Sequence, residues 1–154
     1  MLKRLFIFVI MLSVCCSLFA GTPAADVVEK YKDMKGARNI VAKGVMMKMV
    51  RPLMKDYQIA PLAHKVEELS VLRMDKASPE IRERFLKDLR EALSKYEFGG
   101  QSDTKNGIVD AYVHISGPDV ADELVVYNPK ICAIYCCSGA FTRSELEKIQ
   151  KKPE

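Results

Sequence analysis

From Gly107 onward the chain alternates. Val109, Ala111, Val113 and Ile115 fall on one side of an extended segment, and Asp110, Tyr112 and His114 on the other. This is the period of two that a half-buried strand requires. ADELVVYN and KICAIYCCSG continue the pattern, separated by Gly117-Pro118-Asp119 and Asn128-Pro129-Lys130, which read as turns. A four-residue connection at Gly117–Val120 would set Val113 beside Leu124 and Ala111 beside Val126. One face is then Val109, Val113, Ile115, Leu124 and Val126, a core face. The opposite face carries Asp110, Tyr112, His114, Glu123, Val125 and Tyr127, half polar and rich in aromatics. The facing of the strand at 131–139 stays open, because a one-residue slip in the Asn-Pro-Lys turn inverts it. Under either facing, Cys132 and Cys136 share one side and Cys137 takes the other.

Upstream, the spacing changes between strand and helix. Thr22-Pro23 reads as an N-cap with proline at the first helical position, followed by the stripe Val27, Val28, Tyr31 and Met34, with Gly36 as the stop. A short strand is expected over 37–43, then an apolar helix in VMMKMVRPLM that Pro52 ends or kinks near Arg51. A helical turn at 61–66 carries an exposed His64, and an interior strand follows at 68–75. The clearest helix runs from Ser78 to Tyr96, with Ile81, Phe85, Leu89, Ala92 and Leu93 on one face. Its other face holds acid–base pairs four residues apart and reads as solvated. A short strand at 96–99 opens the meander, and 100–106 reads as a polar loop. Thr142 and Glu145 fit a capping box, with Phe141 and Leu146 as its hydrophobic staple, launching a last helix. The expected fold is α+β: a mixed sheet of about five or six strands with a C-terminal antiparallel meander, packed by about four helices.

The first 20 residues are set apart. Lys3 and Arg4 precede an uncharged apolar run, Leu5 to Ala20, shorter than the roughly 20 residues that span a bilayer. This reads as a secretory signal cleaved after Ala20, leaving a single domain over 21–154. Two other readings are an uncleaved anchor and lipidation at Cys15 or Cys16, where Leu12-Ser13-Val14-Cys15 approximates a lipobox. Without Lys3 and Arg4 the chain holds 22 basic and 20 acidic residues, too even a balance to imply nucleic acid or an anionic membrane. Membrane contact is expected only through lipidation or an uncleaved signal. Cys132, Cys136 and Cys137 fall in one expected strand, with Cys132 and Cys136 about 13 Å apart along it, which excludes a disulfide between them. They are expected as free, packed thiols.

The helix around Val28–Tyr31, the strands ELSVLRMD and ELVVYN, and the closing SGAFTRSELEKI resemble a family of exported bacterial proteins catalogued as domain of unknown function 4252. The resemblance covers about residues 25 to 150. It implies a small α+β domain in the periplasm or outer-membrane envelope of a Gram-negative bacterium, and it implies no catalytic residues.

Candidate chemistry is sparse. No nucleophile elbow, phosphate-binding glycine loop, H-E-x-x-H or C-x-x-C is present. His114 across from Glu123 could act as an acid–base pair, although cross-strand pairs of this kind are usually ordinary polar contacts. Met46, Met47, Met49 and Met54, with the three cysteines, suggest a second reading in which the protein handles soft metals or thiols. The expected function is a non-enzymatic interaction module, with no cofactor and no metal, that meets a protein or peptide of the cell envelope. Its binding residues would be Tyr112, His114, Glu123, Val125 and Tyr127, provided no helix covers that face.

Overall fold

A computed structural model describes residues 21–56 and 59–150; the expected leader lies outside the described residues. The strands are β1 (Arg38–Lys43), β2 (Val66–Arg73), β3 (Glu97–Thr104), β4 (Gly107–Ile115), β5 (Val120–Asn128) and β6 (Ala133–Thr142). The helices are α1 (Pro23–Tyr31), α2 (Val45–Val50), α3 (Pro79–Leu93) and α4 (Arg143–Gln150), with 3-10 turns at Arg51–Asp56 and Ala60–Lys65. All six strands form one sheet in the order β1-β2-β6-β5-β4-β3. The fold class is α+β, as expected, with the C-terminal strands in a meander. The sheet itself is not mixed: every neighbouring pair is antiparallel. The meander ends with β6 running opposite to β2, so β1 and β2 extend the sheet without a parallel crossover.

Both faces of the sheet are packed. On one, α1 and α3 lay Val27, Tyr31, Phe85 and Leu89 over Leu72, Val125, Ile134 and Cys136. On the other, α2, the two 3-10 turns and α4 bring Met47, Met54, Leu62 and Leu146 against Val66, Leu124, Cys137 and Phe141. Alternation along β5 and β6 feeds both cores, since Val125 and Cys136 serve the first and Leu124 and Cys137 the second.

Local sequence explains the helix ends. Thr22 Oγ1 accepts from the Ala25 amide at 3.3 Å and Ser78 Oγ from the Ile81 amide at 3.4 Å, each ahead of a proline that has no amide to satisfy. The capping box closes in both directions: Glu145 N donates to Thr142 Oγ1 and Thr142 N to Glu145 Oε2, both at 3.3 Å. Phe141 and Leu146 are buried together beside it. Pro52 marks the change from α2 to the first 3-10 turn, and His64 is exposed.

Two further expectations are corrected. The polar stretch 100–104 is strand, not loop, and only Lys105 and Asn106 turn the chain before Gly107, whose φ is +104°. An edge strand needs an apolar side chain less than an interior one does. This one is held by Gln101 Nε2 donating to Asp110 Oδ1 at 2.8 Å and Thr104 Oγ1 donating to Gly107 O at 2.7 Å. Cys132 precedes β6 in the turn with φ +48°, so the cysteines do not share one strand. Their sidedness nevertheless holds, with Cys132 and Cys136 in one core and Cys137 in the other.

Gly139 sits where β6 meets the start of β2, and a Cβ there would lie 2.4 Å from the Lys65 carbonyl oxygen. Gly139→Ala is therefore expected to destabilise the fold by about 2 kcal/mol through overpacking. Urea unfolding measures it; an unchanged midpoint would mean that the backbones part there freely.

Candidate functional site: a clasped carboxylate and a tyrosine-lined groove

The meander has the register that its turn spacing predicts. Val113 lies opposite Leu124, Ala111 opposite Val126 and His114 opposite Glu123. The side chains of that last pair nevertheless part company. A bulge between Ala121 and Glu123 leaves Asp122 as an extra residue on β5. Asp122 takes the histidine: its Oδ1 lies 2.6 Å from His114 Nδ1, with both side chains partly exposed. The His114–Glu123 acid–base pair is thus replaced by His114–Asp122, because the bulge re-aims the neighbouring carboxylate.

Glu123 turns inward and is 2 % exposed. Thr22 Oγ1 donates to its Oε2 at 2.6 Å, and the Tyr96 hydroxyl donates to its Oε1. The same tyrosine oxygen accepts from the Ala24 amide at 3.1 Å. One carboxylate thereby ties the start of α1, the turn between α3 and β3, and β5. Burial pushes its pKa above the ordinary carboxylate value, with Asp122 adding to the rise and the Thr22 and Tyr96 hydrogen bonds opposing it. Burial and the bond to Glu123 hold the Tyr96 phenol protonated as well. The Tyr96 ring also leans on His114, with centroids 5.0 Å apart. Both carboxylate oxygens of Glu123 have donors, and the Tyr96 oxygen both donates and accepts. Such a closed arrangement suits a structural clasp better than proton transfer, which needs an atom left for substrate.

The expected docking face is corrected by its cover. Val125 is 0 % exposed and packs into the core beneath α1 and α3, so neither it nor Glu123 can meet a partner. Sequence alone left the cover open; the apolar stripes of α1 and α3 take this side because Val125, Ile134 and Leu72 line it. His114 keeps a quarter of its side chain in solvent. Tyr112 and Tyr127 are half-buried, and both reach the wall of a groove of about 370 Å³ between α3 and strands β4 and β5. Leu86, Leu89 and Leu93 form the helix side, while Arg90, Ser94 and Asp110 supply polar atoms. Desolvation raises the pKa of both tyrosines, Tyr112 also feeling Asp110. Phe98 stands edge-on to Tyr112 with ring centroids 5.5 Å apart, and is 56 % exposed.

Arg90 and Ser94 were not legible as groove residues. The helical spacing put neither on the apolar stripe, and only docking of α3 across the strands brings them to Tyr112 and Tyr127. Thr22 and Tyr96 carried no signal beyond a cap and an apolar stripe, since their shared partner is far along the chain.

The soft ligands are dispersed. Met47 and Met54 are buried at 1 % and 6 % exposure, whereas Met46 and Met49 are 51 % and 74 % exposed. All three described cysteines are buried and free. Desolvation raises each thiol, Cys137 to about 12, so the thiolate that binds metal or attacks disulfides is disfavoured. Among the described residues no three His, Cys, Asp or Glu side chains are grouped to hold a metal ion. No helix among them is long and apolar enough to cross a membrane.

No protein-family model, curated protein or solved structure matches the chain.

Proposed function

We propose that this protein is a non-enzymatic interaction module of the cell envelope, exported through its N-terminal segment, and that it receives a peptide segment in the groove between α3 and β4–β5. The observation that carries this reading is the pairing of Tyr112 and Tyr127 with a leucine wall in one open concavity. Half-buried tyrosines offer broad apolar area at small entropic cost, and their hydroxyls remain able to hydrogen-bond. Arg90 and Asp110 add one charge of each sign, which suits the backbone and termini of a peptide. The charged run Lys3-Arg4 and the uncharged stretch behind it support export.

The groove is tested by changing Tyr112 and Tyr127 to Ser together. Both are only half-buried, so the variant should stay folded, with its far-UV spectrum intact. Affinity capture from envelope extract is expected to lose at least one species retained by the unaltered protein. An identical set of captured species would remove the groove as the docking place.

A further inference from the structure

A second surface stands apart from that groove. In α2 and the 3-10 turn behind it, Met47 and Met54 point inward, and Val50 is half-buried beside them. The opposite side carries Val45, Met49 and Leu53 at every fourth position, with Met46 alongside. These are 74 %, 74 %, 70 % and 51 % exposed, so a helical surface segment holds an apolar stripe facing out as well as one facing in. Isolated exposed apolar residues need no explanation, but four on one short helical run form a patch.

The segment itself is mainly basic, with Asp56 closing its 3-10 turn. Between Gly36 and Lys55 there are five basic residues, Arg38, Lys43, Lys48, Arg51 and Lys55, and no acidic one. Lys43, Lys48 and Lys55 are exposed. Arg51 is turned back to the fold, donating to the Val66 carbonyl at 3.0 Å. Lys48 and Lys55 thus stand exposed on the same helical run as the protruding apolar side chains.

We infer that the segment Val45–Lys55 is a membrane-surface contact that lies on an anionic lipid leaflet. Val45, Met46, Met49 and Leu53 enter the headgroup–acyl boundary, and Lys48 and Lys55 meet the lipid phosphates. The chemistry is complementary in both parts. Acyl chains accept the apolar atoms, while long lysine stems lie along the boundary with their ammonium groups held at phosphate level. The backbone need not change, because the helical turns are already formed and anchored from beneath by Met47 and Met54. This contact is independent of residues 1–20 and of the tyrosine groove.

The test uses the full chain, which has no tryptophan. Met49→Trp places a reporter on the patch alone. With vesicles of phosphatidylglycerol and phosphatidylcholine its emission is expected to shift to the blue and to be quenched by lipids brominated on the acyl chains. Vesicles of phosphatidylcholine alone should give a weak response. In a sedimentation assay, the combined Met46→Ser, Met49→Ser, Leu53→Ser variant is expected to bind anionic vesicles at least about tenfold more weakly. Lys48→Gln and Lys55→Gln should each weaken anionic binding about fivefold and leave binding to the neutral vesicles unchanged. All these side chains are exposed, so equal urea midpoints are expected and would confirm intact folding. A triple-serine variant that binds as tightly as the unaltered chain overturns the proposal, since the attachment would then lie in the N-terminal segment. An unshifted, unquenched tryptophan on anionic vesicles overturns it equally, and would leave the patch to a protein partner.

Discussion

Phe85→Ala is expected to lower the unfolding free energy by about 3–5 kcal/mol, the largest effect of any single change foreseen for this protein. Phe85 is 0 % exposed at the centre of the core beneath α1 and α3. Its ring meets Tyr31 edge-on, with centroids 5.4 Å apart and planes at 76°. The Tyr31 hydroxyl in turn donates to Asp88 Oδ2 at 2.6 Å, and Lys30 reaches the same oxygen at 2.7 Å. Burial and that bond push the Tyr31 phenol up to about 12. Phe85 therefore sits under the contact by which α1 and α3 hold each other, and its loss leaves a cavity that Tyr31 cannot fill without leaving Asp88. Phe85→Leu keeps most of the volume and should cost far less. Urea unfolding of both variants decides the matter; equal midpoints for Ala and Leu would show that the site collapses freely. Because α3 is one wall of the tyrosine groove, Phe85→Ala should also weaken whatever the groove holds.

Glu123 gives the second large effect, and its sign depends on what replaces it. Glu123→Ala removes the acceptor of the buried Tyr96 hydroxyl and of Thr22, and is expected to cost about 3 kcal/mol at pH 7. Glu123→Gln keeps a carbonyl for Tyr96 in nearly the same shape and is expected to be neutral to stabilising at that pH. The reason lies in linkage. Burial raises the folded-state pKa of Glu123 above its unfolded value. Below the unfolded value both states hold the proton, and the group contributes its full share to stability. As pH rises, the unfolded chain releases its proton first, and the contribution is lost progressively until the folded pKa is passed. The unaltered protein should therefore lose stability from about pH 4.5 upward relative to Glu123→Gln, with the gap constant once the folded form is ionised. Urea midpoints for the two proteins across that range test it. Parallel curves would mean that Glu123 titrates in the fold as it does in the unfolded chain.

Much of the fold was readable because it depends on neighbours in sequence. Strand alternation, the prolines behind Thr22 and Ser78, and the Thr142/Glu145 capping box are all short-range patterns, and each has the predicted partner. The register of β4 on β5 also follows from the spacing of a single turn. The candidate site was readable only in part. Tyr112 and Tyr127 do reach a groove, but Val125 and Glu123 lie under helices whose docking side no local pattern specified.

The chain by itself determined an α+β domain with two-sided apolar strands, free cysteines distributed to both cores, and amphipathic helices able to cover a sheet. Those properties arise from side-chain period and local hydrogen bonding. The tertiary structure alone decided which face α1 and α3 would cover, that a bulge at Asp122 would separate His114 from Glu123, and that Thr22 and Tyr96 would close on one carboxylate. It also decided that Met46 and Met49 would face outward while Met47 and Met54 face inward. Each of these is a choice between packings that local sequence permits equally, and only the burial of distant surfaces against one another separates them.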